Sequence, residues 1–139
     1  MKVLLDTHVL LWWLEGGSKL SRRARNIIQN QETTVLVSAT SAWEIAIKSE
    51  GGKLEAGPLL ADFRGELERE GFAELPISSH HAIRAGLLKG PHRDPFDRML
   101  IAQAHAENVP MISKDRLFDD YGVRRIWLVI RWSSLSRLI

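Results

Sequence analysis

The chain has no cysteine. That removes disulfides, thiolate nucleophiles and zinc–thiolate sites together, and it suits a reducing, cytoplasmic compartment. The domain must therefore stand on its core. A chain of 139 residues suffices, because that length buries roughly two-thirds of its unfolded surface. Long hydrophobic runs are also lacking. The N-terminal "MKVLLDTHVLLWWLEGG" is interrupted by Asp6 and His8. It is too short to span a bilayer and has no small-residue cleavage site, so it reads as strand and helix of the fold, with no membrane partner. Nor is there a large excess of one charge: the net charge of +2 is not that of a polycation. No internal repeat and no low-complexity tract occurs. Hydrophobic content of 45% with 26% charged residues places the chain among ordinary globular domains. One asymmetry stands out. From Arg116 to Ile139, five arginines oppose two aspartates, Asp119 and Asp120. That allows a phosphate-binding face, and equally a solvated basic tail.

The patterning alternates between two periods. "KVLLD" is a short apolar strand ended by an acid, and "THVLLWWLE" a helix closed by Gly16 and Gly17. Ser21 caps a helix through "RRARNIIQNQ", and "TTVLV" is a β-branched strand. Ser38 caps "ATSAWEIAIKSE". Pro58 starts a helix running to about Glu70, "FAELPI" is a short extended segment, and Ser78 and Ser79 cap a helix through Leu88. Asp94 and Pro95 open the helix "PFDRMLIAQAHAEN", with Asp as cap and Pro in the first turn. "VPMIS" and "RRIWLVI" are further strands. Strands apolar on both faces, alternating with helices, predict a three-layer α/β domain with a central, mostly parallel sheet flanked by helices. Ligands of such sheets bind at the carboxyl ends of the strands, near a switch in strand order.

Four acids fall toward that edge. Asp6 ends the first strand. Glu44 lies almost two turns into the helix after the second. Asp97 is in the first turn after Pro95, and Asp115 follows the strand that ends at Ser113. Each has an ordinary reading: Asp97 complementing the helix dipole, Asp115 capping "RLFDDYG", Glu44 pairing with Lys48, Asp94 serving as an N-cap. Asp6, set between "VLL" and "VLLWW", has little apparent solvent face. Gathered together, four carboxylates repel, and a domain has no stability reason to assemble them unless a cation sits between them. An all-oxygen set points to Mg²⁺ or Mn²⁺, and to hydrolysis of phosphodiesters by an activated water.

The blocks "LLDTHVLLWWL", "SAWEIAIK", "HRDPFDRMLIAQA" and "ISKD", in that order, resemble the PIN-domain ribonucleases, and more narrowly the VapC-type toxins of type II toxin–antitoxin pairs. The resemblance runs from Met1 to about Trp127. It implies a PIN fold over residues 1–127, a Mg²⁺- or Mn²⁺-dependent endoribonuclease acting on RNA, a homodimer, and a cognate antitoxin that blocks the site. It assigns Asp6, Glu44, Asp97 and Asp115 to the catalytic, metal-binding positions, with Thr7 and Ser113 in support. His8 reads as a polar residue at a helix start. Arg93 and Arg98 flank Asp97 and are candidates for touching RNA phosphate. Related chains end near Ile126 and Trp127, whereas here "LVIRWSSLSRLI" continues over 128–139 as an extension without an assigned role. The run Leu10 to Leu14 is too apolar for one helix face. Trp12 and Trp13 are therefore candidates for a partner groove, against the alternative of a fully buried helix.

Two other readings compete. One is a PIN nuclease of RNA processing or decay. The other is a non-catalytic α/β binding module like a phosphate-accepting receiver. A receiver needs paired acids after its first strand and a late strand-end lysine. This chain has a lone Asp6, and Lys114 directly precedes Asp115.

Overall fold

A computed structural model describes residues 1–128. Five strands form one sheet: β1 (Lys2–Leu5), β2 (Thr34–Ser38), β3 (Ala73–Leu75), β4 (Met111–Ile112) and β5 (Arg125–Ile126). Their order is β3-β2-β1-β4-β5, and every pairing is parallel. The expected α/β architecture is present, with a sheet wholly parallel where mostly parallel was expected. The segment "FAELPI" supplies β3. The strand expected over 124–130 is realised as β5, and its positions 129 and 130 lie outside the described residues, as do residues 129–139 of the extension.

The helices are α1 (Thr7–Leu14), α2 (Arg22–Gln29), α3 (Ala39–Glu50), α4 (Gly57–Ala61), α5 (Phe63–Glu70), α6 (Ser79–Leu87) and α7 (Pro95–Glu107), with a 3-10 segment at Arg116–Tyr121. Side-chain alternation along β1 splits the core in two. Val3 and Leu5 face a cluster with Val9, Leu10, Ala24 and Ile45. Leu4 faces the other, with Leu100, Ile101, Ala104 and Phe118. Helices thus cover both faces, which is what strands apolar on both sides require. No helix among the described residues is long and apolar enough to cross a membrane.

The caps are as expected. Ser21, Ser38 and Ser78 accept from the N–H groups of Ala24, Thr40 and His81, and Asp94 accepts from Phe96 and Asp97. The single helix expected from Pro58 to Glu70 is instead two. Asp62 interrupts it and accepts the Gly65 N–H as the N-cap of α5. A Cβ at position 65 would meet that carboxylate, so a larger residue there would oblige the Asp62 side chain to shift.

The strand order reverses between β1 and β4: the chain first runs outward through β2 and β3, then returns to the other side of β1. Such a switch opens a crevice at the carboxyl ends of the two central strands. Asp6 and Ser113 stand at those two ends.

Candidate active site

Asp6 sits just past β1 and is buried, 6% exposed. Its Oδ2 accepts from Ser113 Oγ at 2.7 Å. Ser113 in turn accepts the Asp115 N–H at 3.0 Å, so one hydroxyl organises both acids. Asp6 and Asp115 share a cavity of about 230 Å³ with His8, Trp12 and Lys114. Thr7 Oγ1 is hydrogen-bonded to Ser41 Oγ at 2.8 Å, which ties the start of α1 to α3. Glu44 lies on the inner side of α3 and is 4% exposed.

Burial pushes the Asp6 carboxyl upward, with Glu44 adding repulsion, while the Ser113 hydrogen bond and His8 pull the other way. Asp97 is pushed up to about 6 by burial, opposed by its hydrogen bond to His92 and reinforced by Asp94 and Asp6. Asp6 is thus felt at Asp97 and itself feels Glu44, so these three acids share one electrostatic neighbourhood. Buried carboxylates raised in this way are electrically unsatisfied.

Each of the other acids also has a local partner. Lys48 on the same helix donates to Glu44, and that hydrogen bond leads the causes that raise the Lys48 ammonium. The Glu44–Lys48 pair read from the spacing is real, but the carboxylate is buried, not on a solvated face. Asp115 is exposed and caps the 3-10 segment, accepting the Leu117 N–H. Asp97 Oδ2 is 2.7 Å from His92 Nε2. Among the described residues, no three His, Asp or Glu side chains stand close enough together to hold one ion. Asp6 and Asp115 line one cavity and Asp6 is electrostatically coupled to Glu44 and Asp97, but the four do not converge to ligand distance.

Three residues carry more than their spacing suggested. His92 meets Asp97 across the α7 N-terminus, and the only sequence signal is a histidine two residues before the Asp94 cap. Its backbone N–H donates to the Tyr121 hydroxyl at 2.9 Å. The Tyr121 ring packs where a Cβ at Gly90 would otherwise be, and Gly90 has φ of +129°. Lys48 is a cation built into the site. Arg98, read as a candidate for RNA phosphate, is instead committed to the backbone: its guanidinium donates to the carbonyls of His92, Ala85 and Leu88. It joins the end of α6 to the loop that presents His92. Arg93 is exposed.

Trp12 and Trp13 are both half-buried. Trp12 tilts against Trp127 at 6.1 Å and lines the acid cavity. Trp13 tilts against Phe72, and its indole N–H donates to Glu70. The more exposed large apolar side chains lie elsewhere, at Trp43 and Ile47 of α3 and at Ile83 and Leu87 of α6.

Residues 3–123 match the PIN domain. The chain belongs to the PIN-domain family. Over 114 residues it is 27% identical to ribonuclease VapC22 of Mycobacterium tuberculosis, covering 82% of this chain and 87% of that protein. Its fold resembles VapBC2 from Rickettsia felis, solved bound to a DNA fragment from its promoter, with a TM-score of 0.70, 16% identity and coverage of 92% and 100% of the two chains. It also resembles VapBC-1 from nontypeable Haemophilus influenzae, with a TM-score of 0.65, 17% identity and coverage of 91% and 97%. In this PIN domain the donor chemistry suits a hard divalent cation: the donors are all oxygen, Asp6 and Glu44 are buried, and burial raises the carboxyls of Asp6 and Asp97. The groups now facing Glu44 and Asp97, Lys48 and His92, are ones that carry or accept positive charge.

Proposed function

We propose that the chain is a divalent-metal-dependent endoribonuclease and the toxin of a toxin–antitoxin pair. The observation that carries this is Asp6, a buried carboxylate at the switch point of a parallel sheet, raised by burial and by Glu44 and itself raising Asp97. The VapC relative and the VapBC folds support the toxin assignment.

Asp6, Glu44, Asp97 and Asp115 would hold Mg²⁺ or Mn²⁺. Bound there, the ion supplies a water of lowered pKa and neutralises charge on the phosphate. Ser113 fixes the Asp6 carboxylate by donating to Oδ2. Thr7 and Ser41 hold α1 against α3, and so keep Asp6 and Glu44 in register. Lys48 and His92 face the carboxylates of Glu44 and Asp97.

Cleavage of RNA is expected only with added Mg²⁺ or Mn²⁺, with 5′-phosphate and 3′-hydroxyl ends. Incubating total RNA with the protein, with and without excess chelator, and mapping the end groups is the test. Undiminished cleavage in chelator, or a 2′,3′-cyclic phosphate product, would overturn the mechanism.

A homodimer and an antitoxin partner belong to the same reading. A partner segment inhibits by covering the apolar rim at Trp12 and Trp13 and placing an Arg or Lys among the acids, where a guanidinium meets carboxylates well. Replacing that basic residue in the partner is expected to restore cleavage by about tenfold or more, the factor that roughly 1.4 kcal/mol represents. Co-purification should persist, since apolar burial supplies most of the affinity. Loss of the complex with no return of cleavage would place the inhibitory contact elsewhere.

A further inference from the structure

The acid cavity adjoins a furrow lined with cations. It shares Lys114 with a neighbouring cavity of about 860 Å³, whose wall includes Arg23, Arg116, Asp119 and Arg125. That cavity shares Arg23 and Trp127 with a third, of about 550 Å³, which reaches Arg22 and Asn26. The cations come from places far apart in sequence: α2, the turn after β4, and β5. Arg22, Arg23, Lys114 and Arg116 are exposed.

Asp119, the acid in the wall of the large cavity, is neutralised in place. Arg125 grips it with Nε at 2.8 Å and an Nη at 3.1 Å, and that contact holds its carboxyl below the usual range. The same guanidinium donates to the Ser113 carbonyl. The furrow floor is therefore joined to the residue that fixes Asp6.

We propose that this furrow carries the RNA strand that flanks the scissile phosphate, with Lys114 and Arg116 on the phosphates nearest Asp6, and Arg23 and Arg22 farther along. The proposal rests on the nuclease reading. Its physical basis is a conflict at the cavity: a site lined by carboxylates repels the phosphate it must cut. The net charge of +2 is too small to attract RNA as a whole, so the attraction has to be local and placed beside the acids. Cations strung along a groove track a backbone that carries one charge per nucleotide and read no base. The half-buried Trp12 indole at the cavity offers an unpaired base a ring to lie against. An acidic protein segment fits the cationic part but not its junction with Asp6 and Asp115.

The test is the double variant Arg23→Gln/Arg116→Gln, with Arg84→Gln on α6 as a control. Binding of a fluorescein-labelled single-stranded RNA 20-mer is followed by anisotropy in chelator at several salt concentrations. The slope of log affinity against log salt should shrink by about 0.7 for each phosphate that is no longer neutralised. With Mg²⁺ added, KM should rise severalfold while kcat stays within twofold. Arg116→Lys should restore most of the slope, which separates charge from packing. Arg84→Gln should behave as the parent.

Parent-like slope and KM in the folded double variant would overturn the furrow and leave the nuclease reading intact. Retention of RNA binding with loss of a protein partner would assign the furrow to that partner and overturn the proposal. A parent protein that neither binds nor cuts RNA would remove the nuclease reading itself, and the furrow's role with it.

Discussion

Asp97→Asn is expected to lower RNA cleavage by about a hundredfold or more, the scale on which removal of one electrostatic stabiliser is felt. The same change should stabilise the metal-free protein at neutral pH. Asp97 titrates at about 6 in the fold, raised from 3.8 chiefly by burial. A group that binds its proton more tightly when folded makes the fold less stable as pH rises from about 4 to about 6, and the full cost persists above that. The asparagine escapes this cost. It also gives up part of the helix-dipole interaction and weakens the contact with His92. The balance is a gain of about 1–3 kcal/mol at pH 7.5, vanishing near pH 4. Thermal melts of parent and variant in chelator, at both pH values, check it. A clear loss of stability at pH 7.5 would make Asp97 a structural partner of His92, and its catalytic assignment would lose its support.

Gln103→Leu is expected to cost about 2–4 kcal/mol, because it orphans polar groups that no water-exposed path serves. Gln103 has no exposed surface. Its Oε1 accepts from Ser38 Oγ and, at 3.5 Å, from Thr40 Oγ1. Its Nε2 donates to the Pro76 carbonyl at 3.4 Å and lies 3.4 Å from His81 Nδ1. The side chain thus joins α7 to the end of β2, the first turn of α3 and the start of α6. Leucine fills a similar volume but satisfies none of these atoms. The midpoint of thermal unfolding should fall by roughly 5–15 °C. Because Ser38 caps the helix that carries Glu44, cleavage should fall with it. An unchanged midpoint would mean that Ser38 and Pro76 find other partners once the amide is gone.

Much of the fold was legible. Serine or aspartate caps followed by periodic apolar residues marked α2, α3, α6 and α7. Short β-branched or aliphatic runs marked β1, β2 and β4. These signals are local, so they can be read without knowing the fold. The break at Asp62 was missed because "PLLADFRGELERE" is helix-compatible throughout, and only the actual Asp62–Gly65 cap shows that two helices are more stable than one.

The site was legible as a set of residues and not as a set of contacts. Spacing identified Asp6, Glu44, Asp97 and Asp115 as acids near one sheet edge, and the first three do share one electrostatic neighbourhood. It did not show that Arg98 serves three backbone carbonyls, because a guanidinium one residue after an acid looks the same whether it faces solvent or folds back. Nor did it show His92 on Asp97. Of the five arginines counted from Arg116 onward, Arg131 and Arg137 lie outside the described residues, and the cavity that Arg116 and Arg125 line also takes Arg23 and Lys114 from elsewhere in the chain.

The sequence by itself determined where strands stop, where helices are capped, and that Asp6 stands at a strand end with apolar neighbours on both sides. Only the tertiary structure decided what each acid faces. Ser113 reaches Asp6 across 107 residues because β4 lies beside β1. That adjacency comes from burying two apolar faces of one sheet at once, a sum over many weak contacts that no short stretch encodes. A cap is set by its own neighbours in the chain; a carboxylate's partner is set by which strand the core places next to it.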